Sequence, residues 1–309
     1  MNIVVVGSLN MDLVVRIAQI PRPGETLLGG VFKTFPGGKG ANQAVAAARL
    51  GAHVIMIGCV GDDAFGQEMR NALIAEGIDT THVLVHPESA TGVALIQVDA
   101  KGQNSIAVAS GANFQLTAAD VEKAMQAVGK IDVLVMPLET PLETIYTAAK
   151  IASIRGAKIL LNPAPAQVLN QDLLKLVDVL LPNEYEIALM AGLPPLQSAA
   201  DARNAAEKLL SLGARNLLVT MGGQGAIFFD GKMESKISAY PIQAVDTTAA
   251  GDCFVGALAV GLCEGKSIVA SAEFASAAAA ISATRDGAQP SLPRREEVIQ
   301  FMNERSKSK

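Results

Sequence analysis

The sequence has no tryptophan, three tyrosines and nine phenylalanines in 309 residues. Aromatic platforms for stacking unpaired bases are therefore scarce. With a formal net charge of −5, it also offers no overall basic excess to meet a phosphate backbone. Both features argue against a nucleic-acid partner. Cysteine is equally sparse. Cys59, Cys253 and Cys263 show no C-x-x-C spacing, and an odd count gives no disulfide framework, so a reducing, cytoplasmic setting is expected. The three histidines, His53, His82 and His86, lack metal-ligand spacing and are expected at the surface. Long apolar runs are missing too: Arg49 and His53 interrupt the Ala-rich stretch 44–58, and Phe274–Ala283 is too short to span a bilayer. The start, Met1–Gly7, lacks the basic segment of a signal peptide. The expectation is a soluble protein with no membrane partner.

Apolar residues themselves are plentiful. Hydrophobic residues make up 50% of the chain and charged ones 18%, which excludes a disordered chain. A chain of this length buries roughly three-quarters of its unfolded surface. The apolar residues alternate between two kinds of run. Ile3–Val6, Val54–Ile57, Val133–Met136, Ile159–Leu161, Val179–Leu181 and Leu217–Thr220 read as buried strands. Ala41–Leu50, Ala64–Glu76, Ala118–Val128, Leu142–Ile154 and Ala199–Leu212 read as helices, with Gly51, Gly77, Gly129, Gly156 and Gly213 where a terminating glycine belongs. Such alternation predicts an α/β fold, a mainly parallel central sheet with helices on both faces, with ligands bound beyond the carboxyl ends of its strands. No linker or internal repeat divides residues 1–309, so one domain is expected, with the tail Arg305–Lys309 frayed. Two regions break the rhythm. Leu13–Phe35 is strand-like but carries Pro21, Pro23 and Gly24, and residues 91–109 read as a hairpin turning at Asp99–Gly102. These are expected to form a small separate sheet that covers a substrate or a second subunit.

The chemistry concentrates in a few stretches. Asp246–Asp252 (DTTAAGD) precedes the apolar helical run Cys253–Leu262. Small residues let a ligand approach the backbone, and a helix start directs free N–H groups outward, which suits a phosphate or a developing oxyanion. A carboxylate at Asp252 can take a proton from an attacking alcohol, or be no more than an acid placed favourably on the helix dipole. Phe35–Gln43 (FPGGKGANQ) is a glycine-rich turn entering a helix, bringing Lys39 and Asn42 together. The alternative is a flexible loop with a solvated lysine. It is neither a Walker A loop nor a dinucleotide fingerprint, since Gln43 stands where the third glycine of the latter would be. Gly261–Ser267 imitates a Walker A loop, is one residue short, and follows a helix, so it reads as a helix–helix turn. Asn10 and Asp12 lie beyond the first strand, where they serve a ligand or an Asx-turn. Asn183 and Glu186 suit a helix cap, or an indirect hold on magnesium near phosphates.

In this order, from Gly7 to about Pro293, these stretches resemble the ribokinase family of carbohydrate kinases, the phosphofructokinase-B superfamily. Gly37–Ala44 resembles its first signature, Asp246–Asp252 its second, Asn183-x-x-Glu186 its N-x-x-E motif and Thr220–Gly225 its nucleotide loop. The resemblance implies phosphoryl transfer from MgATP to the 5-hydroxyl of D-ribose. A related acceptor (deoxyribose, fructose or adenosine) and a non-catalytic sugar-binding regulator are the alternatives. It further implies that Asp252 is the base and that N–H groups from Ala249, Ala250, Gly251 and Asp252 form the anion hole. Asn10, Asp12, Gly38, Lys39, Asn42 and Glu139 would hold the sugar. Asn183, Thr220, Gly222, Gly225, Gly251 and Ser276 would surround the nucleotide, Ser276 standing where the family often has Asn or His. Potassium would sit among Asp246, Thr248, Ser282, Arg285, Gly287 and Ser291, and Glu186 would hold magnesium indirectly. The small sheet would be a β-lid and, as in bacterial members, a homodimer interface.

Overall fold

The computed structural model describes residues 1–196 and 198–306. From the amino terminus the chain forms β1 (Asn2–Val6), β2 (Asn10–Arg16), β3 (Val31–Gly37), α1 (Lys39–Arg49), β4 (His53–Gly61), α2 (Ala64–Ala75) and β5 (Asp79–His86). A hairpin of β6 (Gly92–Val98) and β7 (Asn104–Ala109) follows. Alternation then resumes through α3 (Ala118–Ala127), β8 (Val133–Met136), α4 (Leu142–Ile154), β9 (Lys158–Leu161), α5 (Gln171–Leu176), β10 (Val179–Leu180), α6 (Glu184–Met190), α7 (Ala199–Ser211) and β11 (Leu217–Thr220). Strands β12 (Ala226–Phe229) and β13 (Glu234–Ile237) precede the last helices, α8 (Ala250–Cys263), α9 (Ile268–Ala283) and α10 (Arg295–Ser306). Residues 307–309 of the tail expected to fray lie outside the described residues.

Nine strands make the central sheet in the order β13-β12-β11-β10-β9-β8-β1-β4-β5. It is parallel from β11 through β5, and antiparallel only where β12 and β13 extend its edge. The pleat of β1 sorts its side chains by parity. Ile3 and Val5 join a core with Ala44 of α1, Leu258 of α8 and Ala278 of α9, whereas Val4 and Val6 join a second core with Ile145 and Ala148 of α4. Helices cover both faces, as a buried parallel sheet requires. Among the described residues no helix is long and apolar enough to cross a membrane.

Four of the five anticipated glycines end their helices with positive φ: Gly51, Gly77, Gly156 and Gly213. Gly129 does not, because Val128 has already left α3 in an extended conformation. Gly261–Ser267 spans the end of α8, the turn and the cap of α9, as its position after a helix implies. The second sheet has the order β3-β2-β6-β7. Its first two strands occupy only the ends of the strand-like region and overrun it, to Asn10 and Gly37. The prolines and Gly24 between them fall outside regular strand. At its far end Arg16 of β2 forms an exposed ion pair with Asp286, 2.5 Å away.

The approach of α8 to α1 is unusually close, and one residue permits it. A Cβ at Gly256 would stand 2.6 Å from the Ala46 Cβ and 2.7 Å from the Gln43 carbonyl oxygen. Neither neighbour is the end of a flexible side chain. Gly256→Val is therefore expected to cost about 1–3 kcal/mol of stability by overpacking, read as a lower urea midpoint with an unchanged m-value.

Candidate active site

Three chain segments meet beyond the carboxyl ends of the central strands. The turn after β1 and the start of α1 touch through glycines: a Cβ on Gly40 would lie 2.6 Å from the backbone of Gly7 and Ser8. The Ala41 N–H donates to the Ser8 carbonyl at 2.9 Å. Gly38, at φ 85°, is the N-cap of α1 and brings the chain out of β3 into the helix. Glu139, just beyond β8, accepts from the Ser8 hydroxyl and, at 3.2 Å, from the Lys39 N–H. Asn10 and Asp12 are not loop residues but the opening of β2, so they sit at the root of the small sheet. Asn10 makes no Asx-turn; its Oδ1 accepts from Asn113 Nδ2 at 2.7 Å. Asn113, which no local motif marks, is fully buried and also accepts from the Leu9 N–H at 2.8 Å.

Asp252 lies in the first turn of α8. Its Oδ2 accepts from Asn42 Nδ2 and its Oδ1 from Gln43 Nε2, both at 3.0 Å. Asn42 Oδ1 has no partner among the described residues, leaving a buried acceptor in the cradle. The N-cap of α8, Ala249, has φ 59°, the one positive value outside glycine among the described residues. A left-handed alanine costs roughly 1 kcal/mol or more and persists where the surroundings demand it. Here it swings the chain from Thr247–Thr248 into the helix. The Ala250 N–H goes to Thr247 O and that of Cys253 to Ala249 O. The N–H groups of Gly251 and Asp252 have no backbone acceptor among the described residues, the arrangement that holds an anion at a helix start.

A cavity of about 220 Å³ contains Lys39, Glu186, Asn162 and Asp252. It adjoins one of about 660 Å³, with which it shares walls at Asn183, Thr220, Thr247, Gly251 and Phe254. Gly222, Gly225, Tyr240 and Ser276 line the larger space. In it the Thr220–Gly225 turn closes by a bond from the Met221 N–H to Gly225 O at 2.8 Å, and Ser276 Oγ donates to Ser238 O at 3.2 Å. Asn183 and Glu186 do form a capping box on α6, with Glu186 Oε2 accepting from the Asn183 N–H at 2.8 Å, and both also line the cavities. The second loop pair is joined as well. Asp246 accepts from the Thr248 and Gly287 N–H groups at 2.9 and 3.1 Å, and the buried Ser282 and Ser291 hydroxyls lie 2.8 Å apart. The Arg285 side chain turns away to Glu297. No group of His, Cys, Asp and Glu suited to ligating a metal directly occurs among the described residues.

Electrostatically the site is one cation among four carboxylates. Burial works against the Lys39 charge, but Asp252, Glu139, Glu186 and Asp12 together raise its pKa. Burial pushes Asp12 up to about 7, helped by Glu139 and Asp252 and opposed by Lys39. Burial likewise raises Glu186, against the Asn183 N–H and Lys39.

The comparisons with known proteins agree with this geometry. Residues 1–295 match the model of the pfkB family of carbohydrate kinases. A ribokinase of Haemophilus influenzae is 44% identical over 97% of this chain and 98% of its own. A deoxyribokinase of Salmonella typhi is 38% identical over 98% and 99%. The structure of Arabidopsis thaliana ribokinase complexed with ribose and ATP superposes with a TM-score of 0.88 at 33% identity, covering 97% of this chain and 98% of that one. The chain belongs to the pfkB family of carbohydrate kinases and has the ribokinase-like α/β fold.

The raised Asp12 pKa has a consequence for stability. Below the unfolded value of 3.8 the group is protonated in both states and costs nothing. As pH rises from there to about 7 the folded form holds a proton that the unfolded form has released, so stability falls, and the full cost is present above pH 7. Asp12→Asn removes the charge. Its gain in unfolding free energy over the parent should be larger at pH 8 than at pH 5 by more than about 1 kcal/mol. Equal gains at both pH values would refute the assignment.

Proposed function

We propose that this chain is an ATP-dependent ribokinase, which transfers the γ-phosphoryl group of MgATP to the 5-hydroxyl of D-ribose and yields D-ribose 5-phosphate and ADP. The observation that carries the reading is the place of Asp252: buried, at a helix start, held by a hydrogen-bonding cradle and facing the smaller cavity, which shares walls with the larger one. Ribose lies among Asn10, Asp12, Gly38, Lys39, Asn42 and Glu139. The nucleotide occupies the larger cavity against Asn183, Thr220, Gly222, Gly225 and Ser276. Asp252 accepts the proton of the attacking hydroxyl, and the free N–H groups of Gly251 and Asp252, in the Ala249–Asp252 turn, receive the charge of the moving phosphoryl group. Lys39 adds the one positive charge.

The acidic smaller cavity fits a phosphate-bound magnesium ion, because burial and Asp252 both disfavour the Glu186 charge that a cation would offset. Glu186 would hold it through water. When bound, magnesium neutralises phosphate charge. Residues 10–37 and 91–109 act as a lid over a single α/β domain, and closing excludes the water that would otherwise hydrolyse ATP. Unpaired cysteines suit a cytoplasmic enzyme.

Specificity follows from the donor set. Asp12 accepts, Lys39 donates, and Asn10 and Asn42 offer amides, which suits a neutral polyol. An already phosphorylated sugar calls for several cations. A site that bonds a hydroxyl also penalises its absence, which separates ribose from the 2-deoxyribose that the name of the Salmonella protein suggests. The test is kcat/KM for ribose, 2-deoxyribose and fructose 6-phosphate side by side: ribose should lead, and a competitor equal to it would defeat the ribose reading while leaving a kinase. Asp252→Asn should lower ribose turnover by at least ~10²-fold with the ATP KM little changed. Near-normal turnover would remove the base.

Two further parts of the reading have their own checks. The joined loops at Asp246–Thr248 and Ser282–Ser291, with Arg285 and Gly287 between, would hold potassium through backbone carbonyls beside the anion hole. Their fit rests on the buried hydroxyl pair and on Asp246 tying one loop to the other. Potassium should activate far more than sodium at fixed ionic strength, and equal rates would exclude the site. The small sheet leaves Val31, Phe32, Leu95, Ile106 and Val108 at least half exposed, a larger apolar display than so small a sheet needs. A homodimer through the lid covers them. Light scattering at micromolar concentration should give about twice 32.0 kDa; a monomer would cancel the dimer and keep the lid.

A further inference from the structure

Helix α1 sends two amides to Asp252, and they differ in what else they can do. Asn42 belongs to the sugar cradle. Gln43, the next residue, is fully buried and lines neither cavity. Its Nε2 donates to Asp252 Oδ1 at 3.0 Å and to Asn162 Oδ1 at 3.1 Å, so both amide hydrogens are committed. Asn162, just past β9, is itself held. Its N–H donates to Met136 O at 2.9 Å and its Nδ2 to Leu181 O at 3.0 Å. A continuous run of bonds thus ties the Asp252 carboxylate to the ends of β8, β9 and β10.

The other end of the same amide is unsatisfied: Gln43 Oε1 has no donor among the described residues. A buried acceptor left unmade costs about 1–3 kcal/mol. An apolar side chain of similar length would remove that cost but would also strip Asp252 Oδ1 and Asn162 Oδ1 of their donor, so what the glutamine contributes is its grip on these two acceptors. We propose that Gln43 is a positioning residue for Asp252, with Asn162 as its anchor. It grips Oδ1 and stops the carboxyl turning about its Cβ–Cγ bond, which keeps the Oδ2 edge, the one Asn42 touches, toward the sugar. The inference rests on Asp252 being the base.

The test compares Gln43→Leu and Gln43→Met with the parent protein. Each variant should still fold cooperatively, with a urea midpoint at or below that of the parent. The KM values for ribose and ATP should stay within about twofold while kcat falls about ten- to a hundredfold, the scale of a misplaced catalytic group. In an Asp252→Asn background the same changes at 43 should cost nothing further, because there is no base left to position. Asn162→Leu should reproduce the kcat loss. The proposal is overturned if both variants keep kcat within about twofold, if both fail to fold, or if their kcat losses persist in full in the Asp252→Asn background. Full turnover in Asp252→Asn alone would instead fail the base reading, and so separates the two claims.

Discussion

The distance between α1 and α8 governs the rest of the site. The two helices come from opposite ends of the chain, and each carries one half of the chemistry: α1 opens with Lys39 and Asn42, α8 with the anion-binding turn and Asp252. A glycine at 256 facing Ala46 and Ala47 lets the backbones nearly touch. Only at that separation do the short amides of Asn42 and Gln43 span the gap to Asp252. The same economy of volume recurs where Gly7 meets Gly40. Packing density, usually discussed as a source of stability, here sets the reach of hydrogen bonds.

Around that contact the protein gathers more negative than positive charge. Asp12, Glu139, Asp252 and Glu186 bear on the single Lys39, and burial makes the imbalance matter. The molecule bears the cost of this before any ligand arrives. Cations that come with, or beside, the phosphates would relieve it, so the electrostatic strain is itself a form of selectivity for a metal-bound nucleotide over a free polyanion.

Much of the fold was legible. β8, α4 and β11 fall at their anticipated residues, and other elements within a few, because buried parallel strands are short β-branched runs and their helices end at glycine. The edges were not. β5 (DTTHVLVH), at the edge of the sheet, opens with four polar residues and so offers no buried apolar run, and β12 and β13 interrupt the strand–helix rhythm. At the site the glycine-rich signatures pointed to loops that the fold brings together around two adjoining cavities, since close approach of backbone demands small residues in a fixed order. Gln43 stood inside one signature, yet in the sequence it served only to reject a dinucleotide fingerprint; its partners Asp252 and Asn162 become neighbours only when the chain folds. Asn113 has the same history, meeting Leu9 and Asn10 across the molecule. The pKa of Asp12 depends on burial and on two distant acids, none of which has a local imprint.

The ion pair between Arg16 and Asp286 joins the tip of β2 to the loop that also holds Gly287. Both partners are about half exposed, and a contact of that kind contributes at most about 1 kcal/mol. The parted arrangement is then outnumbered by less than about tenfold. The pair thus fastens the sheet at this end only weakly, and still less in strong salt. For the lid proposed above, a weak fastening of this kind suits a cover that admits one sugar and releases its phosphate in every cycle, since a firm closure would slow the exit of the product along with the entry of water.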